Sequence, residues 1–238
     1  MERTEDLREL LDGSLEDPAA LDGNLRDLAR VNRWLGGVAL SSKAIEVLAP
    51  SAAVLTLLDV GTGGADIPFA LLDRAQHTGR SLTVTAVDSR SEVVAAAARV
   101  NPKLGNIWGL ILETGDGLSL GFPNGSFDVA HCSLLLHHLD PDEVAALLRE
   151  MGRVARMGVV INDLDRSRLD LFGARVLARV ATRNPYTRVD GPLSVQRAYR
   201  VPEVAQLLRT AGLRPIRVFR APFRHRYSIA AVVGKPVE

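Results

Sequence analysis

Three aspartates, each near the end of a short apolar run, mark where this chain can do chemistry. The first lies in Leu57-Leu58-Asp59-Val60-Gly61-Thr62-Gly63-Gly64-Ala65-Asp66-Ile67-Pro68. An apolar strand there runs into a glycine turn and then a helix, so backbone N–H groups and a helix N-terminus face whatever binds. The second, Asp88, closes Val84-Thr85-Ala86-Val87, where a carboxylate can accept both hydroxyls of a ribose held over the first turn. The third is Asp116 in Gly115-Asp116-Gly117, placed to accept from an adenine amino group. Three acids at three successive strand ends make one set shaped to an adenosine-containing ligand.

Two positions separate the ligands that share this layout. A dinucleotide fingerprint wants glycine at the sixth position of G-x-G-x-x-G and an apolar residue two before the first glycine, whereas this chain has Asp66 and Asp59. Asp59 suits the ammonium of a methionine moiety, met directly or through water. The run resembles motif I of the class I S-adenosylmethionine-dependent methyltransferases. Asp88 looks like their ribose-binding acid, and Gly115-Asp116-Gly117 looks like their adenine-binding motif. The segment Phe122-Pro123-Asn124-Gly125-Ser126-Phe127-Asp128-Val129 is similar to their link into strand four. The resemblance extends over about residues 54 to 233. It departs at Ala65, where a third glycine is common, and at Ala155-Arg156-Met157-Gly158, where a Pro-Gly-Gly turn is usual. What it implies is S-adenosylmethionine as cofactor, held by Asp59, Gly61, Thr62, Gly63, Asp88, Ser89, Asp116, Gly117 and Ser133, with Arg33 of Asn32-Arg33-Trp34 reaching the cofactor carboxylate. No metal ligands are assigned from the sequence.

The methyl of a sulfonium is already electrophilic. The enzyme has to align a nucleophile behind it and, for a phenol or hydroxyl, remove a proton. His137 and His138 in Ser133-Leu134-Leu135-Leu136-His137-His138 follow the fourth strand at the carboxyl edge of the sheet, and an imidazole titrates in the right range. His137, nearer the strand, is the preferred base. Asp163 closes the fifth strand on the same edge and can orient a histidine or a substrate hydroxyl. Catalysis by proximity alone, with a structural His-His pair, is the alternative, and Asp88, Asp116 and Asp163 are each also explicable as caps.

The elements that must position these residues read as a doubly wound α/β fold, with a mostly parallel, Rossmann-like sheet of seven strands. Residues 1–50 form an N-terminal helical extension or lid, and residues 51–238 the methyltransferase domain. Val54–Val60, Leu82–Val87, Ile107–Leu112, Phe127–Cys132 and Gly158–Ile161 are each too short for a helix and read as strands. Ile67–Gln76, Ser91–Val100 and Pro141–Ala155 read as helices between them. A helical insertion spans about 165–200. Its apolar face is Leu169, Phe172, Val176, Leu177 and Val180, and Arg168, Arg175, Arg179 and Arg183 rim it, which suits a lid. Val201–Ala211 is a helix stopped by Gly212, and Ile216–Phe219 with Tyr227–Val233 a closing hairpin.

Of 238 residues 47% are apolar and 24% charged, with a net charge of +1, a balance that suits a soluble globular chain and marks no nucleic-acid or membrane binder. From Leu164 onward 15 Lys/Arg face 5 Asp/Glu. That basic third is the one argument for an RNA or DNA substrate. His131-Cys132-Ser133-Leu134 stands where amino-group methyltransferases of nucleic acids carry an Asn/Asp-Pro-Pro-aromatic motif. A lone cysteine, no signal-peptide pattern and no apolar run near the roughly 20 residues of a spanning helix fit a cytoplasmic protein. The combination of Leu25–Leu28, Asn32-Arg33, Asn162-Asp163-Leu164, Asp190-Gly191, Ser194 and Arg224-His225-Arg226-Tyr227 looks similar to bacterial methyltransferases of polyketide or phenolic-lipid pathways. This resemblance implies a small apolar acceptor methylated on a phenolic oxygen. A C-methyltransferase acting on a quinone-like ring and a non-catalytic cofactor-binding protein stay open as alternatives, as does the oligomeric state, a homodimer included.

Overall fold

The computed structural model describes residues 1–4, 7, 9–50 and 52–234, the side chain of Phe223 excepted. A 3-10 turn at Leu10–Asp12 precedes α1 (Pro18–Trp34) and α2 (Gly37–Leu48). The alternating part follows: β1 (Val54–Val60), α3 (Asp66–His77), β2 (Ser81–Asp88), α4 (Ser91–Val100), β3 (Leu110–Thr114), β4 (Phe127–Ser133), α5 (Pro141–Val154) and β5 (Ala155–Leu164). Then come α6 (Arg168–Val180), α7 (Pro185–Arg197), α8 (Val201–Thr210), β6 (Leu213–Arg220) and β7 (Arg226–Val233). The strands form one sheet in the order β3-β2-β1-β4-β5-β7-β6. Strands β1 to β5 pair in parallel, and β7 is antiparallel to both β5 and β6. The order reverses between β1 and β4, so the carboxyl ends of those strands open the crevice where ligands bind in such sheets.

Because the side-chain period of a strand is two, neighbours in β1 serve opposite faces. Leu57 packs with Val84, Val129 and Val160 beneath α2 and α3, while Leu58 packs with Ala130, Val159 and Ile161 beneath α5 and α8. The second helix of the N-terminal extension is therefore part of the sheet's own helical layer. The first crosses to α4, burying Leu21 and Leu25 against Val93 and Ala96. Asp17 caps α1 by accepting from the Ala19 and Ala20 N–H groups.

The strands expected at β1, β2, β4 and β5 and the helices at α4 and α5 stand within a few residues of the observed ones. Strand β3 starts three residues later than the apolar run implied. Gly109, at φ +89°, turns the chain first, in a space where a Cβ would lie 2.7 Å from the Leu82 carbonyl oxygen. The insertion folds as α6 and α7. No helix among the described residues is long and apolar enough to cross a membrane.

Candidate active site

The glycine turn after β1 has the backbone that its sequence requires. Gly61 and Gly63 have φ of +67° and +55°. A Cβ on Gly61 would meet Leu135 at 2.8 Å, and one on Gly117 would meet Val60 at 2.8 Å. Ala65 stands at φ +52°, a left-handed residue at the N-terminus of α3, where the resembled motif carries glycine. The Thr62 N–H donates to the Val87 carbonyl, tying the turn to β2.

Asp88 closes the turn from the other side. One carboxylate oxygen accepts from the Gly63 N–H at 3.0 Å and the other from the Arg90 N–H at 3.2 Å. Each oxygen keeps a second lone pair for a ligand hydroxyl. Burial raises the Asp88 pKa above the usual carboxylate value, against the pull of those two N–H groups. Ser89 is exposed beside it. Asp116 is exposed, with one oxygen capping the Leu118 N–H at 2.9 Å. Thr62 Oγ1 is buried and has no hydrogen-bond partner. An orphaned hydroxyl in the glycine turn, beside an Asp88 carboxylate with lone pairs left to accept from ribose hydroxyls, fits an adenosyl ligand.

Asp59 is 3% exposed and hydrogen-bonds to His131 Nδ1, while His131 Nε2 lies 2.7 Å from Ser41 Oγ. The order Asp-His-Ser is that of a hydrolytic triad. Ser41 is fully buried, however, and its oxygen also accepts from Asn162 Nδ2 at 2.7 Å. No substrate can reach that hydroxyl, and the trio serves to lock α2 under the sheet.

The same polar chain continues to Arg226, which is 0% exposed. Its guanidinium donates to Asn162 Oδ1, Asn32 Oδ1 and Ser133 Oγ, each at 2.7 Å. Burial lowers its pKa to about 10 against the charges of Asp163 and Asp66, so it remains cationic at neutral pH. Asn32 in turn donates to Asp66, whose pKa burial raises to about 6. Arg33 is exposed instead, 5.4 Å above the Trp34 ring. In Asn32-Arg33 the asparagine is the inward-facing member.

At the end of β4 the chain turns through Leu134, a bulky residue at φ +53° whose N–H donates to the Asn162 carbonyl. Left-handed backbone at such a residue is strained by about 1–2 kcal/mol, and here it throws the following 3-10 turn across the strand ends. His137 Nδ1 lies 2.7 Å from Asp163 Oδ1, and the Leu136 N–H donates to Asp163 Oδ2 at 2.9 Å. Burial works to raise the Asp163 pKa, but the His137 contact, the Leu164 N–H and the Arg226 charge hold it below its usual value. His138 Nδ1 lies 2.7 Å from Asp12 Oδ1. Burial alone would depress this imidazole, but the Asp12 hydrogen bond and the Glu9, Asp12 and Asp163 charges outweigh it and raise its pKa to about 9.

The N-terminal segment covers both rings. Glu9, 4% exposed, places Oε1 at 3.8 Å from His137 Nε2 and Oε2 at 3.8 Å from His138 Nε2. Ser194 of α7 donates to Glu9, and Asp190 accepts from the Leu10 and Leu11 N–H groups. Buried Arg197 donates to the carbonyls of His137, His138 and Leu7. The expected residues thus collect at one sheet edge, Arg33 excepted, and Glu9, Asp12, Asn32, Arg197 and Arg226 join them unannounced. A surface cleft of about 720 Å³ lined by Lys43, Glu46, Arg74 and Phe219 lies at the opposite edge and holds none of these residues.

Residues 57–158 match the family described as "Methyltransferase domain". The chain is 31% identical over 167 residues to a demethylmenaquinone methyltransferase of Roseiflexus castenholzii, an alignment covering 65% of this chain and 66% of that one. The chain belongs to the class I S-adenosylmethionine-dependent methyltransferases. Its cofactor is S-adenosylmethionine, and the glycine turn, the Thr62 hydroxyl and Asp88 fit it. The fold of this methyltransferase is also that of a SAM-dependent methyltransferase from Aquifex aeolicus, with TM-score 0.63, 21% identity and coverage of 91% of this chain and 98% of that one. Magnesium protoporphyrin IX methyltransferase of Synechocystis PCC 6803, solved with bound SAH, superposes with TM-score 0.58 at 19% identity, covering 82% and 81% of the two chains.

Proposed function

We propose that this methyltransferase acts on a small apolar acceptor, most simply a phenolic or polyketide-derived compound methylated on oxygen. The observation that carries this reading is the buried His137–Asp163 pair, at 2.7 Å, on the strand edge that also bears Asp59, Asp88 and the glycine turn. When bound, S-adenosylmethionine supplies an electrophilic methyl group on sulfur. The carboxylate of Asp163 fixes the Nδ1 tautomer and leaves His137 Nε2, which Glu9 covers at 3.8 Å, as the nitrogen that would take the phenolic proton once the N-terminal segment admits the acceptor. His138, tied to Asp12, is the second candidate on the same turn. Ser133 and the turn residues Gly61 to Gly63 would hold the cofactor, with Asp88 on the ribose and Asp116 on the adenine. Closure by the N-terminal segment keeps water from the reacting groups.

The test is a panel of phenols, enols and quinols with mass analysis of the products, comparing wild type with His137→Asn. Loss of a general base lowers kcat by roughly 10²–10⁴, with cofactor affinity unchanged by calorimetry. Unchanged kcat in the variant removes His137 from the chemistry. The second reading, methylation of a ring carbon, is favoured by the name of the Roseiflexus relative, and fragmentation that retains the methyl on the ring distinguishes it. Cofactor binding without turnover across the panel would favour a non-catalytic role.

A further inference from the structure

We propose that Glu9, His137 and His138 form a binding site for one divalent transition-metal ion. The spacing is the first reason. The contacts of Glu9 with the two Nε2 atoms, 3.8 Å each, are too long for hydrogen bonds, and the three donor atoms lie within 4.8 Å of one another. Donors about 2.0–2.2 Å from a shared tetrahedral ion stand about 3.3–3.6 Å apart, so the two Glu9 contacts need to shorten by only a few tenths of an ångström and the widest separation by up to about 1.5 Å.

The second reason is what holds the rings. Both Nδ1 atoms are taken by carboxylates, His137 by Asp163 and His138 by Asp12, each at 2.7 Å. That leaves both Nε2 atoms turned toward one carboxylate, the carboxylate–histidine–metal pattern in which the outer acid fixes the tautomer and raises the basicity of the ligand. Charge is the third. Glu9, Asp12 and Asp163 surround the two imidazoles, and the buried Arg197 spends its donors on backbone carbonyls. A dication answers this excess of negative charge.

Two imidazoles and a carboxylate, with no thiolate, suit Zn²⁺, Fe²⁺ or Co²⁺ better than Mg²⁺ or Ca²⁺, which prefer all-oxygen shells. Three protein ligands leave a position open, as in catalytic rather than structural sites. His138 is partly exposed and gives a route in. An acceptor oxygen is the chemistry that the open position takes. That role, in which His137 acts as ligand in place of base, rests on the acceptor reading above, whereas ion binding does not.

The test is titration of metal-stripped, full-length protein with Co²⁺ at pH 8, followed by its visible d–d absorption and by calorimetry, with Zn²⁺ displacing the signal. One equivalent is expected, lost in Glu9→Gln and in His138→Gln, and weakened roughly 10–100-fold in Asp12→Asn, which touches only the outer carboxylate. Cofactor affinity measured on each variant reports that it is folded. Absence of a Co²⁺ band in the wild type, or a band that persists in Glu9→Gln, overturns the proposal. No acceptor enters the measurement, so a negative result alongside O-methylated product sinks the metal alone.

Discussion

Arg226 shows what a single buried charge does here. Its fork reaches α1 through Asn32, β4 through Ser133 and β5 through Asn162, so one residue fixes the N-terminal helix over the ends of the central strands. The three acceptors are met by three different nitrogens of one rigid plane, a spread that the three donors on a lysine's single nitrogen cannot span. Truncation would strand buried acceptors and remove a positive charge that acts on both Asp66 and Asp163. Breaking such a set by removing one member costs about 3–5 kcal/mol. Arg226→Met is expected to lower the melting temperature by roughly 10 °C or more, and Arg226→Lys to recover little of it. Melting curves check both, and a methionine variant as stable as wild type would show that the network contributes nothing net.

The N-terminal turn is the element most exposed to pH, because titrating groups hold it on every side. His138 has its pKa raised from 6.5 to about 9, so its grip on Asp12 is complete below pH 6.5 and fades as pH rises through 9. Asp190 is raised from 3.8 to about 6 by burial, against its N–H bonds from Leu10 and Leu11, so its ionisation weakens attachment as pH rises from 3.8 to 6. Asp12 is lowered by His138 against its burial, and its contribution disappears only as pH falls below 3.8. Glu9, Asp163 and Arg197 also face the turn. The turn is therefore expected to loosen steadily from pH 4 to pH 9, by on the order of 3 kcal/mol across the histidine step. Hydrogen exchange at the Leu10 and Leu11 amides, corrected for intrinsic rate, measures it, and protection that stays flat or rises with pH refutes it. This turn also shows where a linear sequence stops being informative. Strand and helix positions follow from local periodicity, and the glycine turn with its two following acids follows from residue types at strand ends. Glu9 sits in an ordinary polar stretch and meets His137 only through folding across 128 positions. Arg226 reads as one more arginine in a basic tail until β7 carries it under Asn32, 194 positions away. Asp59 carried a ligand expectation from its place in the motif, and its histidine partner came from a β4 register, Asp59 beside His131, that only the assembled sheet supplies.

At the scale of the molecule, the N-terminal extension and the insertion close over the same sheet edge and lock to each other. Thr182 and Thr187 both donate to Asp27 of α1, and Asn184 donates to the Ala20 carbonyl. The helix α6 starts five residues beyond Asp163 and buries only Ala178. Leu169 and Phe172 remain 72% and 66% exposed, while Val176 and Val180 continue the stripe. An apolar stripe this open is not what holds the fold together, since exposed positions typically shift stability by no more than about 0.5 kcal/mol. Its place beside the strand edge suits an apolar wall for the acceptor. Phe172→Ser is then expected to leave the melting temperature and cofactor affinity as they are and to raise the acceptor KM by roughly 5-fold or more, the loss of about 1 kcal/mol of apolar contact, with kcat little changed. Steady-state kinetics on the best acceptor from the panel decides the point. A KM equal to that of the wild type separates α6 from the acceptor and leaves closure of the edge to the N-terminal segment and α7.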